Sequence, residues 1–434
     1  DDDAMHPDTK RYTAHKTPTT YPEAMASPFW PQWEEAIVKE LMGMWSQGVW
    51  TEVPKATVRA PPINVKWVFK IKFDADGALD KFKARLVAKG FSQKDGVNFD
   101  SSQTYSPVIS LPIARMLMAI FAGNDDVHWE HWDVSQAFLW AKLDSTKQPI
   151  YLRPIPGMNV SADKLLLLHR TIYGLKQSSA EYFKLAKATI LAQGFVQSEY
   201  EECLFIKRDG DKWTIMLLYV DDFIVFTNDK PGSADLLLQL NKHFKTTDSG
   251  GLKHFLNISV TRNSGGRYVD LCQEQSILEL GRDFNLHTTT MRRVRSPIGK
   301  ERYSKDQGGK ASNASDEIMT QIIEFEFRSP MGRVGYFVSC TRPDVLYAFK
   351  ILAQFLNDPG MPHIHAVMRV IRYLVGTANQ PLRLHAPASA QDLLAYVGDS
   401  DDANNEDHRR SLATVFGYIG VFDPERPMSM GCWY

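Results

Sequence analysis

Residues Leu217–Phe226 read LLYVDDFIVF, with Asp221 and Asp222 side by side between two apolar runs. A buried carboxylate pair without partners costs several kcal/mol and tends to neutralise one member by taking up a proton. Something must therefore compensate the pair. Ile215, Leu217 and Tyr219 on one side, and Phe223 to Phe226 on the other, are β-branched, aromatic or aliphatic. That pattern predicts strand, tight turn, strand, with the aspartates at the hairpin tip. Two readings fit the pair alone. In one, it is a solvated turn in which Asp supplies turn chemistry. In the other, it holds a divalent cation such as Mg²⁺, which takes hard oxygen ligands, keeps waters and borrows further oxygens from phosphates.

At 434 residues the chain is long enough for two to four domains and a sizeable core. With 44% hydrophobic residues, 23% charged residues and a formal net charge of −1, it has the composition of a globular protein rather than a disordered one. No apolar run approaches the ~20 residues of a membrane span, and the opening DDDAMHPDTKRYTAH has no signal-peptide core. An intracellular, soluble protein with no membrane partner is the expectation. Cys203, Cys272, Cys340 and Cys432 lie far apart and suggest neither a disulfide framework nor a zinc pair. His128 with His131, and His363 with His365, lack the i, i+4 spacing of two ligands on one helix face.

The near-neutral charge is unevenly spread. The stretch VKWVFKIKFDADGALDKFKARLVAKGFSQK carries Lys66, Lys70, Lys72, Lys81, Lys83, Arg85, Lys89 and Lys94 against Asp74, Asp76 and Asp80. It reads as a hairpin turning at DADG. Its basic excess suits a phosphate-binding surface or a solvated face, and its interleaved aromatics suit base stacking or ordinary packing.

Along the chain, Ser27 and Pro28 can open a helix whose stripe holds Trp33, Ile37, Leu41 and Trp45. PIARMLMAIFAG predicts a buried helix. A strand then runs into Asp133, and VSQAFLWAKL leaves it as a loop or short helix. A turn at Tyr173 and Gly174 precedes an amphipathic helix through about Leu191. Beyond Asn228 the pattern gives a helix, a hairpin and a second helix. The polar GKERYSKDQGGKASNASDE follows as a flexible linker. A strongly helical stretch comes next, and the tail reads as a strand, an acidic loop and two more strands.

The ordered series KWVFKIK, KARLVAKGFSQ, YSPV, DVSQAFLWAKL, IYGLKQ, CLFIK, LLYVDDFIVF, LKHFLNISV and TRPDVLYA…IRYLVGT closely resembles the reverse transcriptase region of Ty1/copia-type retrotransposon Pol polyproteins. The likeness runs from about Tyr21 to the C-terminus. It implies an α+β right-hand polymerase with fingers, palm and thumb, followed by a helical connection and a truncated ribonuclease H-like segment. The divisions it suggests are an N-terminal linker and helix (1–55), fingers and palm (56–250), a thumb-proximal hairpin and helix (251–298), the flexible linker (299–320), the helical connection (321–390) and a partial ribonuclease H-like segment (391–434).

The resemblance further implies an RNA-directed DNA polymerase that adds dNTPs to a primer 3′-hydroxyl on an RNA or DNA template. Asp133, Asp221 and Asp222 would together hold two Mg²⁺ ions, or Mn²⁺ in their place. Asp133 and Asp221 are expected to be the principal ligands and Asp222 more peripheral, because successive strand residues face opposite ways. Phe138 matches the position whose bulk excludes a 2′-hydroxyl. Lys72, Lys83 and Arg85 would reach the triphosphate, and Tyr173 and Gly174 would lie along the nascent pair. Lys176 and Gln177 would contact phosphate or base, and Tyr219 and Val220 the primer terminus. Localisation follows the family, whose members copy RNA within cytoplasmic particles.

Departures accompany the matches. After GLKQ this chain has Ser178, Ser179, Ala180, Glu181 and Tyr182 where the family usually has Ala-Pro-Arg and a Trp, and Asn257 stands where the family favours Gly. In the tail, Asp399 aligns with the first ribonuclease H carboxylate, but the chain stops at Tyr434 before the further acidic ligands, so ribonuclease H activity is not expected. The rival functional reading is a decayed or co-opted copy that binds nucleic acid without polymerising.

Overall fold

Proline-opened helices and aromatic packing organise the start of the chain. The computed structural model describes residues 6–73, 78–288 and 291–387. The expected DADG turn, the 391–434 segment with Asp399, and Cys432 therefore lie outside the described residues. The chain divides into two units, the first drawn from 6–109 and 128–250 and the second from 110–127 and 251–387.

In the first unit α1 (Pro7–Thr13) and α2 (Tyr21–Met25) lead into α3 (Trp30–Ser46). The opening segment is packed rather than loose: Tyr12 is buried against Phe29 and Phe82, and the Asp8 carboxylate accepts the Leu79 N–H at 3.0 Å. Helix α3 begins later than Ser27, with Pro31 in its first turn. Its buried face also differs from expectation. Trp33 and Ile37 are buried, but Trp45 is 70% exposed, and the face continues through Glu40 and Met44. The reason is geometric: repeated steps of four residues drift around a helix of 3.6 residues per turn, whereas mixed steps of three and four stay on one face.

Strand β1 (Trp50–Pro54) is followed by the basic hairpin of β2 (Val65–Phe73) and β3 (Leu79–Ala88), as the alternation predicts. Its register pairs Trp67 with Leu86 and Phe69 with Ala84, which are buried, and Lys70 with Lys83 and Val68 with Arg85 on the opposite face. The chain then contributes α4 (Leu111–Phe121), the expected buried helix, to the second unit and returns as β4 (His128–Val134). Strands β5 (Tyr151–Leu152) and β6 (Lys164–Leu168) join β1 in a small antiparallel sheet of order β1-β6-β5. Helix α5 (Ser178–Ala192) follows the Tyr173–Gly174 turn.

Next come β7 (Val196–Gln197), β8 (Leu204–Asp209), β9 (Lys212–Tyr219), β10 (Asp222–Thr227), α6 (Lys230–Leu240) and β11 (Thr246–Gly251). They complete a six-stranded sheet of order β11-β4-β10-β9-β8-β7. Residues Ile215–Leu218 and Phe223–Phe226 are each at most 1% exposed. Both faces of these inner strands are covered, which is why their sequence is continuously apolar instead of alternating.

The second unit pairs β12 (His254–Phe255), β13 (Ile258–Asn263) and β14 (Tyr268–Cys272) with helices α7 (Glu274–Asp283), α8 (Asp316–Glu324), α9 (Arg328–Cys340), α10 (Leu346–Ala353) and α11 (Met361–Gly376). A last strand, β15 (Leu382–His385), adds to β14 within the stretch expected to be helical. The polar stretch expected as a flexible linker is tied down: Ser304 and Gln307 form a capping box, and the Lys310 and Ala311 N–H groups donate to the Asp358 carboxylate. The β12–β13 turn has positive φ at both Leu256 and Asn257, at 52° and 59°. Such a turn favours Gly but also suits Asn, so Asn257 fits the position where the family prefers Gly. Among the described residues Cys203, Cys272 and Cys340 are free, and no helix is long and apolar enough to cross a membrane.

Candidate active site

The Asp-Asp hairpin is as tight as its sequence predicts. Strand β9 ends at Tyr219 and β10 begins at Asp222, leaving Val220 and Asp221 as a two-residue turn. Of these two, only Val220 has positive φ, at 53°. That is the pattern of a type II′ turn, whose first central position ordinarily belongs to glycine. A β-branched residue there is strained, and strain of this kind gathers at functional turns.

Register brings the third carboxylate in. β10 runs antiparallel to β4 with Asp222 opposite Asp133, and the Val134 N–H donates to the Asp221 carbonyl at 2.8 Å. A slip of one residue would turn Asp133 to the other face of the sheet. Asp222 and Asp133 therefore face the same way. Asp221 lies ahead of the strand in the turn, where strict alternation does not govern its direction.

The three carboxylates differ in their surroundings. Burial pushes the Asp221 carboxyl above the ordinary carboxylate range, Asp222 and Asp133 push it further, and Arg85 opposes them. Asp222 has a partner of its own: its Oδ1 lies 2.8 Å from His131 Nε2. His131 was missed as a site residue by sequence reasoning. The available signal was its place two residues before Asp133, hence on the same strand face, but pairing it with Asp222 required the register. Among the described residues no three carboxylate, imidazole or thiol groups stand close enough together to cage an ion by themselves.

Beyond Asp133 the chain turns. The Ser135 N–H donates to the Lys245 carbonyl at 2.9 Å, Gln136 is left-handed at φ 52°, ψ 46°, and a 3₁₀ turn follows over Ala137–Trp140. This turn carries Phe138, whose ring meets Tyr173 edge-on at 4.9 Å and Tyr182 at 6.1 Å. Burial raises the Tyr173 phenol to about 12 and drives that of Tyr182 higher still. Tyr182, the departure from the family's Trp, thus fills the space behind Phe138.

The basic hairpin meets the same aromatic cluster. The Arg85 guanidinium lies 4.9 Å from the Tyr173 ring centroid. The Lys83 ammonium is lowered to about 8, chiefly by burial and then by repulsion from Arg85 and Lys72, while Glu40 and Asp133 hold it up. Lys72 is half-buried on the same hairpin face as Lys83.

The Tyr173–Gly174 loop closes on the end of β3. The Tyr173 carbonyl accepts the Ala88 N–H at 2.8 Å, and Gly174 has φ +87°. A Cβ on Gly174 would come within 2.3 Å of the Ala88 carbonyl, and one on Gly90 within 2.1 Å of the Gly174 carbonyl. Backbone meets backbone here, and only glycine fits. Lys176 and Gln177 brace this closure. The Gln177 side chain is buried, with its amide bonded to Gln93 and to the Asn98 carbonyl, while Lys176 Nζ stands 4.3 Å over the Phe99 ring.

Comparison with known proteins identifies the family. A family model described as reverse transcriptase (RNA-dependent DNA polymerase) matches residues 47–299, more than half of the 434 residues. The chain is 30% identical over 413 residues to a retrovirus-related Pol polyprotein from transposon TNT 1-94 of Nicotiana tabacum, covering 94% of this chain and 30% of that protein. It is 30% identical over 385 residues to the corresponding polyprotein from transposon RE1 of Arabidopsis thaliana, covering 86% and 24%. It is 24% identical over 369 residues to the transposon Ty1-GR2 Gag-Pol polyprotein of Saccharomyces cerevisiae, covering 82% and 20%. The chain thus spans less than a third of the length of these curated relatives. A foamy viral protease-reverse transcriptase solved in complex with double-stranded DNA overlaps at a TM-score of 0.36 and 12% identity, over 80% of this chain and 48% of that one, too loosely to carry residue correspondences.

Proposed function

The chain belongs to the reverse transcriptase (RNA-dependent DNA polymerase) family of Ty1/copia-type elements, and from that premise we propose that it is the polymerase portion of a Pol polyprotein, extending a primer 3′-hydroxyl with dNTPs on an RNA or DNA template. The observation that carries the reading is the register of β10 on β4, which aligns Asp222 with Asp133 beside the Asp221 turn. In the proposed reaction the primer 3′-oxygen bonds to the α-phosphorus of the dNTP, the bond from that phosphorus to the pyrophosphate breaks, and the hydroxyl proton is released.

The donor set suits divalent magnesium. Hard carboxylates lie on adjoining strand ends, and Asp221 is held above its ordinary range by burial and then by its acidic neighbours, with Arg85 offsetting only part of that, so a cation entering there would favour its charged form. Asp133 and Asp221 would be the first ligands, with Asp222 available on leaving His131. A preformed three-residue cage is not needed, because Mg²⁺ commonly takes one or two protein carboxylates and fills its shell with water and phosphate oxygens. Bound there, magnesium supplies charge neutralisation at the attacking and leaving oxygens.

The remaining work falls to this chain's own side chains. Lys83, Arg85 and Lys72 bind and orient the triphosphate, where compact ammonium and forked guanidinium groups complement phosphate oxygens. Phe138 fills the space a 2′-hydroxyl would need. Tyr173 and the close-packed Gly174 backbone line the nascent pair, and Tyr219 with Val220 meets the primer end. The duplex itself is held through phosphates, so its affinity should fall steeply with salt. Work inside cytoplasmic particles follows from the family resemblance.

Primer extension on poly(rA) with an oligo(dT) primer, Mg²⁺ and labelled dTTP tests the proposal. Extension supports it. Template binding without extension identifies a copy that has kept binding alone, and a flat salt response removes the nucleic-acid reading.

Lys83 adds a pH signature. Its charged form binds triphosphate, and in the free protein that form is lost as pH rises through about 8. KM for dNTP should therefore be flat below that pH and climb above it. In Lys83→Met the climbing limb should vanish and KM should be raised throughout, measured from pH 6.5 to 9.5 on one primer–template.

A further inference from the structure

Glu40 is a carboxylate on the core-facing side of α3, only 8% exposed. One of its oxygens accepts the Gln136 Nε2–H at 2.9 Å; the Leu86 backbone, Lys83 and Arg85 also favour its charged form, yet burial outweighs them and holds the carboxyl above its ordinary range. A leucine there would avoid the cost of desolvating the carboxylate. Gln136 itself holds left-handed backbone, which a residue bearing a Cβ adopts at a cost and which therefore needs an external hold. Three residues along α3, Gly43 supplies the room. A Cβ on Gly43 would lie 2.6 Å from Gln136 Oε1 and 2.8 Å from its Nε2. Together Glu40 and Gly43 make a socket for one amide, and the turn that amide anchors carries Phe138 two residues later.

We infer that Glu40 is a positioning residue for sugar selection: through Gln136 it fixes the turn that presents Phe138 to the ribose of the incoming nucleotide. The inference rests on the polymerase reading above. It reaches outside residues 47–299, the segment matched by the family model, because α3 ends at Ser46.

The test is single-nucleotide incorporation of dTTP and UTP, each as kcat/KM, by the full chain and three variants. Glu40→Gln keeps an acceptor oxygen and should preserve the dTTP:UTP ratio. Glu40→Leu removes the acceptor, and Gly43→Ala displaces the flexible amide while taking out a helix-destabilising glycine. Both should lower the ratio about tenfold, the order expected from losing one hydrogen bond to a charged group. A merely structural role would lower incorporation of both nucleotides together and leave the ratio alone. An unchanged ratio in Glu40→Leu and Gly43→Ala, with melting temperature and template binding retained, overturns the inference while parental extension leaves the polymerase reading standing. Failure of the parent to extend at all overturns both.

Discussion

Asp221→Asn is expected to abolish primer extension while leaving the fold intact or firmer. The carboxyl is held above its ordinary range by burial and by its two acidic neighbours, so in the absence of a cation its charge is a liability to the folded state. The amide has the same shape without the charge. If Asp221 is a principal metal ligand as proposed, its loss should cut kcat by at least roughly 10³-fold, about 4 kcal/mol of transition-state stabilisation. Thermal melting of the metal-free protein should stay level or rise, the usual relation between an active site and the stability it costs. Gel-shift affinity for primer–template should persist, because the proposal assigns that contact to phosphates. Robust extension by Asp221→Asn would exclude the carboxylate from the catalytic machinery, and a collapsed fold would mean that its charge is compensated by protein after all.

Phe138→Val carries the second large effect. The ring is wedged edge-on against Tyr173 and Tyr182, and trimming it opens space where a ribose 2′-hydroxyl would otherwise clash. Discrimination between dNTP and rNTP should fall on the order of 10²-fold, the scale at which pocket shape sorts substrates. The change should come from faster rNTP incorporation, with dNTP kcat/KM losing less than about tenfold, since the carboxylates and the basic hairpin are untouched. Phe138→Tyr retains the bulk and should retain selectivity. A ratio unmoved by Phe138→Val would assign the ring to packing and return sugar choice to some other group. The smaller deficit expected of Glu40→Leu has the same sign, because it loosens the mount and leaves the ring in place.

Much of the site was legible in local sequence. The apolar flanks of Asp221 and Asp222 announced the hairpin, and the alternation in KWVFKIKF and KFKARLVAK separated core from basic face. What local pattern could not supply was register. That Asp222 stands opposite Asp133, and that His131 reaches Asp222, depends on how two segments far apart in sequence align. The Lys164–Leu168 strand escaped because a short, continuously apolar run does not distinguish a buried strand from other buried structure. The stripe expected in α3 departs from the buried face for the geometric reason given above, and a count of apolar side chains hides the departure. The fold instead exposes Trp45 and buries Glu40, since a buried acid with a partner is invisible to a hydrophobic count. Gln177 shows the converse, a polar residue read as a nucleic-acid contact whose amide is engaged inside the protein.

The seam between Gly90 and Gly174 bears on mechanics. Because the obstacle to any side chain there is a carbonyl on the opposite segment, the two strips of backbone lie directly against one another with no side chain between them. Arg85 rides on one strip and Tyr173 on the other, already in contact across the joint. On the proposed reading, with Arg85 gripping phosphate and Tyr173 bordering the base pair, a pull on the one side would reach the other. The two would then act as one jaw, so that capture of the triphosphate tail and fit of the new pair are felt in a single movement.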